Sequence, residues 1–159
     1  MSSKIQPLLD EYAESHQDVT NKKIHWICVP IIFWSIIALF YSMPIGFLVE
    51  KIGANIFTTW ASVALILVVL YYVKLSISLS IGMVVFSLLC LLISEFATKF
   101  VGIYLPVLAI VVFILAWIGQ FYGHKLEGKK PSFFKDVQFL LIGPAWLMHF
   151  IYKKLGIKY

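Results

Sequence analysis

Long apolar runs alternate with short polar breaks along this chain. The runs cover about 24–41, 56–73, 75–93 and 101–123. Each approaches the ~20 residues that an α-helix needs to cross a bilayer. Lys74 alone separates the second run from the third, which predicts a tight hairpin at an interface. Residues 42–55 hold Pro44, Gly46 and Gly53 and read as a loop, and Glu95 to Lys99 read as the next polar break. Pro30 and Pro106 fall in the early turns of the first and fourth runs, where a bend is tolerated if neighbours satisfy the freed carbonyl.

The ends of the chain carry weaker patterns. Ile5, Leu8, Leu9 and Tyr12 recur at helical spacing, so 4–15 is expected to be a short amphipathic helix on the membrane surface that leads into His16. Residues 17–20 look like a break, with Asp18 or Thr20 capping a new helix that begins near Asn21. A polar, basic loop over 125–136 precedes an apolar run, 137–152, that Gly143-Pro144 divides. A broken helix pair, re-entrant or interfacial, suits that run better than a crossing. The expected fold is therefore all-α: one polytopic integral-membrane domain over 1–159, with four transmembrane helices flanked by these two terminal elements.

Composition supports that picture. The chain is 61% hydrophobic and 13% charged, with a mean hydropathy of +0.91; a soluble domain of that kind would expose large apolar patches. Trp26, Trp34, Trp60, Tyr71, Tyr72, Trp117 and Tyr122 lie mostly near run ends, where aromatic belts form. All 13 basic residues are lysine. Without arginine's bidentate fork the chain is a poor reader of nucleic acid, and the lysines suit anionic headgroups instead. Cys28 and Cys90 sit inside apolar runs and read as packing residues. The first 26 residues carry Asp10, Glu11, Glu14 and Asp18 and no apolar signal region, so the first run itself is expected to drive insertion. The excess of lysine and isoleucine hints at an AT-rich genome, which favours a bacterial inner membrane, or the endoplasmic reticulum if the source is eukaryotic.

Lysine placement sets an orientation. With four crossings and a re-entrant last segment, one side holds 11 lysines and the other holds only Lys51 and Lys99. The positive-inside rule makes the richer side, with both termini, cytoplasmic. An even number of crossings then separates His25 from His124, and both emerge on that cytoplasmic face. The lysine count made no use of the histidines, so the agreement is independent.

Those histidines carry the candidate chemistry. Asn21 and His25 are four apart and share a helix face; Gln120, His124 and Glu127 follow an i, i+4, i+7 pattern. His16 and His25 fall on opposite sides of one continuous helix, so they can share a ligand only if the chain turns between them. Gly119 and Gly123 form a small-xxx-small pair that admits a neighbouring helix. Taken singly, a histidine at a span end serves as a polar anchor, and Glu127 could pair with Lys125 or Lys130. Three histidines converging by topology point instead to a metal site. Imidazoles admit zinc, copper, iron or nickel. Three leave one open position on tetrahedral zinc and three on octahedral iron. Glu127 is either a fourth ligand or an orienting neighbour. His149, inside the last apolar run, reads as structural.

The two polar stretches resemble a family, the membrane-bound 2-hydroxy fatty acid dioxygenases typified by the fungal enzyme of phytosphingosine breakdown. The matching residues are Tyr12, His16, Asn21, His25 and Val29-Pro30, then Gln120-Phe121, Gly123-His124, Glu127, Lys130-Pro131 and Pro144. Ser132 and the pair His16-Gln17 depart from the pattern, and His149 matches none of it. The resemblance implies ferrous iron held by His16, His25 and His124, with Glu127 also catalytic. Asn21, Gln120, Glu127 and Lys130 are then expected to support the ligands or bind substrate. It further implies α-oxidation: dioxygen cleaves the bond beside the carboxyl of a long-chain 2-hydroxy acid, giving the acid one carbon shorter. Lys22, Lys23, Lys129 or Lys130 would attract the carboxylate, and the tail would slide in from the bilayer. The other readings are a zinc hydrolase of a lipid amide or ester, with Glu127 as general base, and a non-enzymatic membrane scaffold. The oligomeric state, a homodimer included, is left open.

Overall fold

A computed structural model describes residues 4–128 and 139–159. The described residues form helices and contain no strand. In order they are α1 (Gln6–Glu14), α2 (Val19–Tyr41), α3 (Gly46–Ile52), α4 (Trp60–Leu75), α5 (Ile77–Val101), a 3-10 turn (Gly102–Tyr104), α6 (Leu105–Leu126) and α7 (Ile142–Leu155). Val19–Tyr41 and the apolar stretch Ile77–Leu126 are long and apolar enough to cross a membrane, while Trp60–Leu75 is a shorter apolar helix. The outer faces of α5 and α6 expose Ile81, Val85, Leu92, Val107, Leu115 and Ile118, a belt that suits lipid and not water.

Helix α2 is the central element, and it packs most extensively on α6. The seam is close because two glycines line it. A Cβ at Gly123 would stand 2.3 Å from Asn21 Oδ1, and one at Gly119 would stand 2.9 Å from Cys28 Sγ. Above that seam, Phe33, Ile37 and Tyr41 of α2 bury against Ala61 and Leu65 of α4, Leu91 of α5 and Leu105 of α6. A second core joins Leu9 and Tyr12 of α1, Tyr72 of α4, Leu79 and Met83 of α5, and Trp146 of α7.

Several sequence expectations change here. The apolar face of α1 docks on α7 and the second core, with Ile5 0% and Leu9 2% exposed, instead of facing a bilayer. The expected break at Glu95 to Lys99 is continuous helix: Glu95 accepts a hydrogen bond from the Tyr41 hydroxyl, and Ser94 and Thr98 bond back to their own helix. The break falls instead at Gly102, whose φ of +53° lies where only glycine is unstrained. The stretch read as loop after the first run contains α3, which buries no residue. Ser76 alone joins α4 to α5; it ends one helix and its hydroxyl caps the next through Leu79 N–H. Gly143-Pro144 lies in the first turn of α7, where proline is well placed. Of the first half of the expected pair, residues 139–141 form a turn and 137–138 lie outside the described residues.

Helix α7 is fastened to α5 by one hydroxyl. Tyr152 Oη accepts from Gly82 N–H at 3.0 Å and donates to Ser78 C=O at 2.9 Å. A Cβ at Gly82 would meet Met148 Sδ at 2.7 Å.

Gly123→Leu should force α2 from α6. The expected result is a loss of roughly 1–3 kcal/mol or more, measured as a lower unfolding temperature in detergent, with Gly46→Leu, which meets nothing within 4 Å, as the control.

Candidate metal centre

Three helical segments bring the histidines together. His16 follows the end of α1, in the turn that Ser15 closes, and its ring stacks on Tyr12 at 4.1 Å and 12°. The chain then turns, and Asp18 starts α2 by accepting from Thr20 and Asn21 N–H, each at 2.8 Å. His25 lies in the second turn of α2, and His124 lies in the last turn of α6. Ring centroids are 4.3 Å apart for His16–His25, 5.2 Å for His16–His124 and 4.9 Å for His25–His124. All three are buried, at 2%, 1% and 3% exposure. One ligand nitrogen from each lies within 4.8 Å of the other two, so the three could hold one metal ion.

Hydrogen bonds aim two of these rings. His16 Nδ1 lies 2.6 Å from Tyr12 C=O, and His25 Nδ1 lies 3.0 Å from Asn21 C=O. A carbonyl only accepts, so each Nδ1 carries the proton and each Nε2 keeps its lone pair. That is the arrangement a metal-ligating histidine needs. The set of three buried imidazoles, two of them aimed by backbone carbonyls, therefore fits a transition-metal ion.

Glu127 fixes how the segments meet. Its Oε1 accepts from Gln17 N–H at 2.7 Å; its Oε2 accepts from Asp18 N–H at 2.8 Å and from Asn21 Nδ2 at 3.0 Å. The residue after α6 thus grips the turn that carries His16 and the helix start that carries His25. Burial raises the carboxyl's pKa, but the donors Asp18, Asn21 and Gln17 outweigh it and hold Glu127 below its ordinary 4.5. Asn21 is the shared hub: its side chain donates to Glu127 and to Ser15 C=O, and its own carbonyl receives His25.

Of the residues singled out from the sequence, His16, His25, His124, Asn21 and Gln120 are gathered and buried here. Glu127 adjoins them through Asn21 and lies outside the group of mutually close donor atoms. Lys129 and Lys130 lie outside the described residues. His149 stands apart, hydrogen-bonded to the Tyr159 hydroxyl. Trp146, 5.5 Å from the His16 ring, was not foreseen as a neighbour of the site, because it arrives on α7 with no local signal. Tyr12 carried one: it sits one helical turn before His16.

Fold and site together define an all-helical protein of membrane-type apolarity with a buried three-histidine cluster that could bind a metal ion. Within that class the chain belongs to the Mpo1-like family, described as 2-hydroxy-palmitic acid dioxygenase Mpo1-like, which it matches over residues 2–155. No curated protein and no solved structure matches it.

The sign of the Glu127 effect gives a pH prediction. Its folded pKa is depressed, so its contribution to stability is full above the ordinary carboxylate range and is lost as pH falls through the folded value. Thermal unfolding of metal-free protein should show an acid limb that is smaller in Glu127→Gln. Identical acid limbs in both proteins would contradict the clamp.

Proposed function

We propose that this chain is an iron(II)-dependent dioxygenase of the membrane that shortens long-chain 2-hydroxy fatty acids by one carbon. The carrying observation is the convergence of three buried imidazoles, from α1's end, α2 and α6, in a chain whose family is described by that class of acid. Three nitrogen ligands leave an octahedral ion enough open positions for a chelating acid and dioxygen. Bound iron would supply the one-electron chemistry that lets dioxygen react. The protein's own residues hold the geometry: Tyr12 and Asn21 carbonyls orient His16 and His25, and Glu127 locks their turn to α6.

In this reading α2, α4, α5 and α6 are four crossings within one integral-membrane domain, and the last run does not cross. Helix α4 has 16 residues, about 24 Å of rise, enough for most of the hydrocarbon layer. The even count, with the lysine distribution, supports a centre at the cytoplasmic face. Asn21 and Glu127 are positioning residues, and Lys130 is a candidate for drawing in the carboxylate. The hydrolase alternative needs Glu127 as a free base, yet both its oxygens are engaged by N–H donors.

His124→Ala should lose its metal and all turnover of 2-hydroxypalmitate under air, while eluting from a sizing column like the wild type. An active, metal-bearing His124→Ala protein would contradict the assignment, as would undiminished wild-type turnover under nitrogen.

A further inference from the structure

A small cavity of about 20 Å³, room for about one water, adjoins His25 between α2 and α6. Its polar wall is His25, Gln120 and Tyr12; its apolar wall includes Val29, Ile32 and Trp117. These residues are ordered along the helices. Val29 and Ile32 follow His25 by one and two turns on one face of α2, about 6 and 10 Å further along the axis. Trp117 precedes Gln120 by one turn on α6, on the side away from His124. On both helices the polar end therefore lies at the histidines and the apolar end lies deeper in the bundle.

Gln120 is the second observation. It is 7% exposed and lines this cavity. Its amide carries two donors and one acceptor at the cavity wall, so it suits a ligand that gives or takes a hydrogen bond there. The roof is tight as well: a Cβ at Gly143 would stand 3.1 Å from both Tyr12 Oη and Val29 Cγ1.

Resting on the function proposed above, we infer that this cavity seats the first carbons of the 2-hydroxy acid, with Gln120 hydrogen-bonding the 2-hydroxyl and Ile32 and Trp117 setting which tails pass. Gln120 can both donate to and accept from a hydroxyl, whereas an acid without the hydroxyl leaves it unpaired. The cavity as it stands is smaller than an acyl segment, so binding requires the Ile32 and Trp117 side chains to swing aside. That makes their size a filter: a straight tail threads past them more easily than one branched near the carboxyl.

The test uses the full chain in detergent, with and without added iron. Binding of radiolabelled 2-hydroxypalmitate and palmitate is measured for the wild type and Gln120→Leu; turnover of straight and methyl-branched 2-hydroxy acids is compared for the wild type and Ile32→Ala. Gln120→Leu should reduce the preference for the hydroxylated acid roughly tenfold, with iron content unchanged. Ile32→Ala should shift turnover several-fold toward the branched acid. An intact hydroxyl preference in a folded Gln120→Leu protein together with unchanged tail selectivity in Ile32→Ala would overturn the pocket while leaving the enzyme assignment standing. A wild type that is iron-loaded yet neither binds nor turns over any 2-hydroxy acid would overturn both.

Discussion

The structure depends on how closely α2 can approach α6. Two glycines remove the side chains that would keep the helices apart, and Asn21 occupies the space above Gly123. From there Asn21 reaches Glu127 on one side and receives His25 on the other. A packing constraint and a hydrogen-bond hub are thus the same residue. Separate the helices, and Asn21 loses Glu127 while His124 moves away from His25.

This economy follows from the surroundings. In an apolar bundle, polar groups must satisfy one another, because no water is at hand to do so. Glu127 accepts from three N–H donors, two of them the backbone groups of Gln17 and Asp18 in the turn that leads into α2. The imidazoles meet the same demand with carbonyls at their Nδ1 atoms, which leaves the Nε2 atoms of His16 and His25 ready for an ion.

Much of this was legible in the sequence, because it is local. The spacing of Asn21 and His25, the Gly119–Gly123 pair, and the Asp18 break that lets His16 and His25 meet all lie within a few residues. The expectation that two distant motifs meet agrees with the gathering of His16, His25 and His124. What the sequence hid depends on partners far along the chain. Glu95 and Lys99 looked like a break because charge usually marks one, yet Tyr41, 54 residues away, satisfies Glu95 inside the helix. The face of α1 looked like a membrane face because nothing local shows that α7 covers it. Trp146 and the cavity beside Gln120 arise only when α7 folds back.

Three imidazoles remote in sequence are placed to grip one ion. X-ray absorption at the metal edge of purified wild-type protein reads that grip directly. The expected result is one iron per chain, with the multiple-scattering signature of three imidazoles and the remaining positions filled by oxygen. A protein that binds no metal when folded, or a spectrum with fewer than two imidazoles, would contradict it.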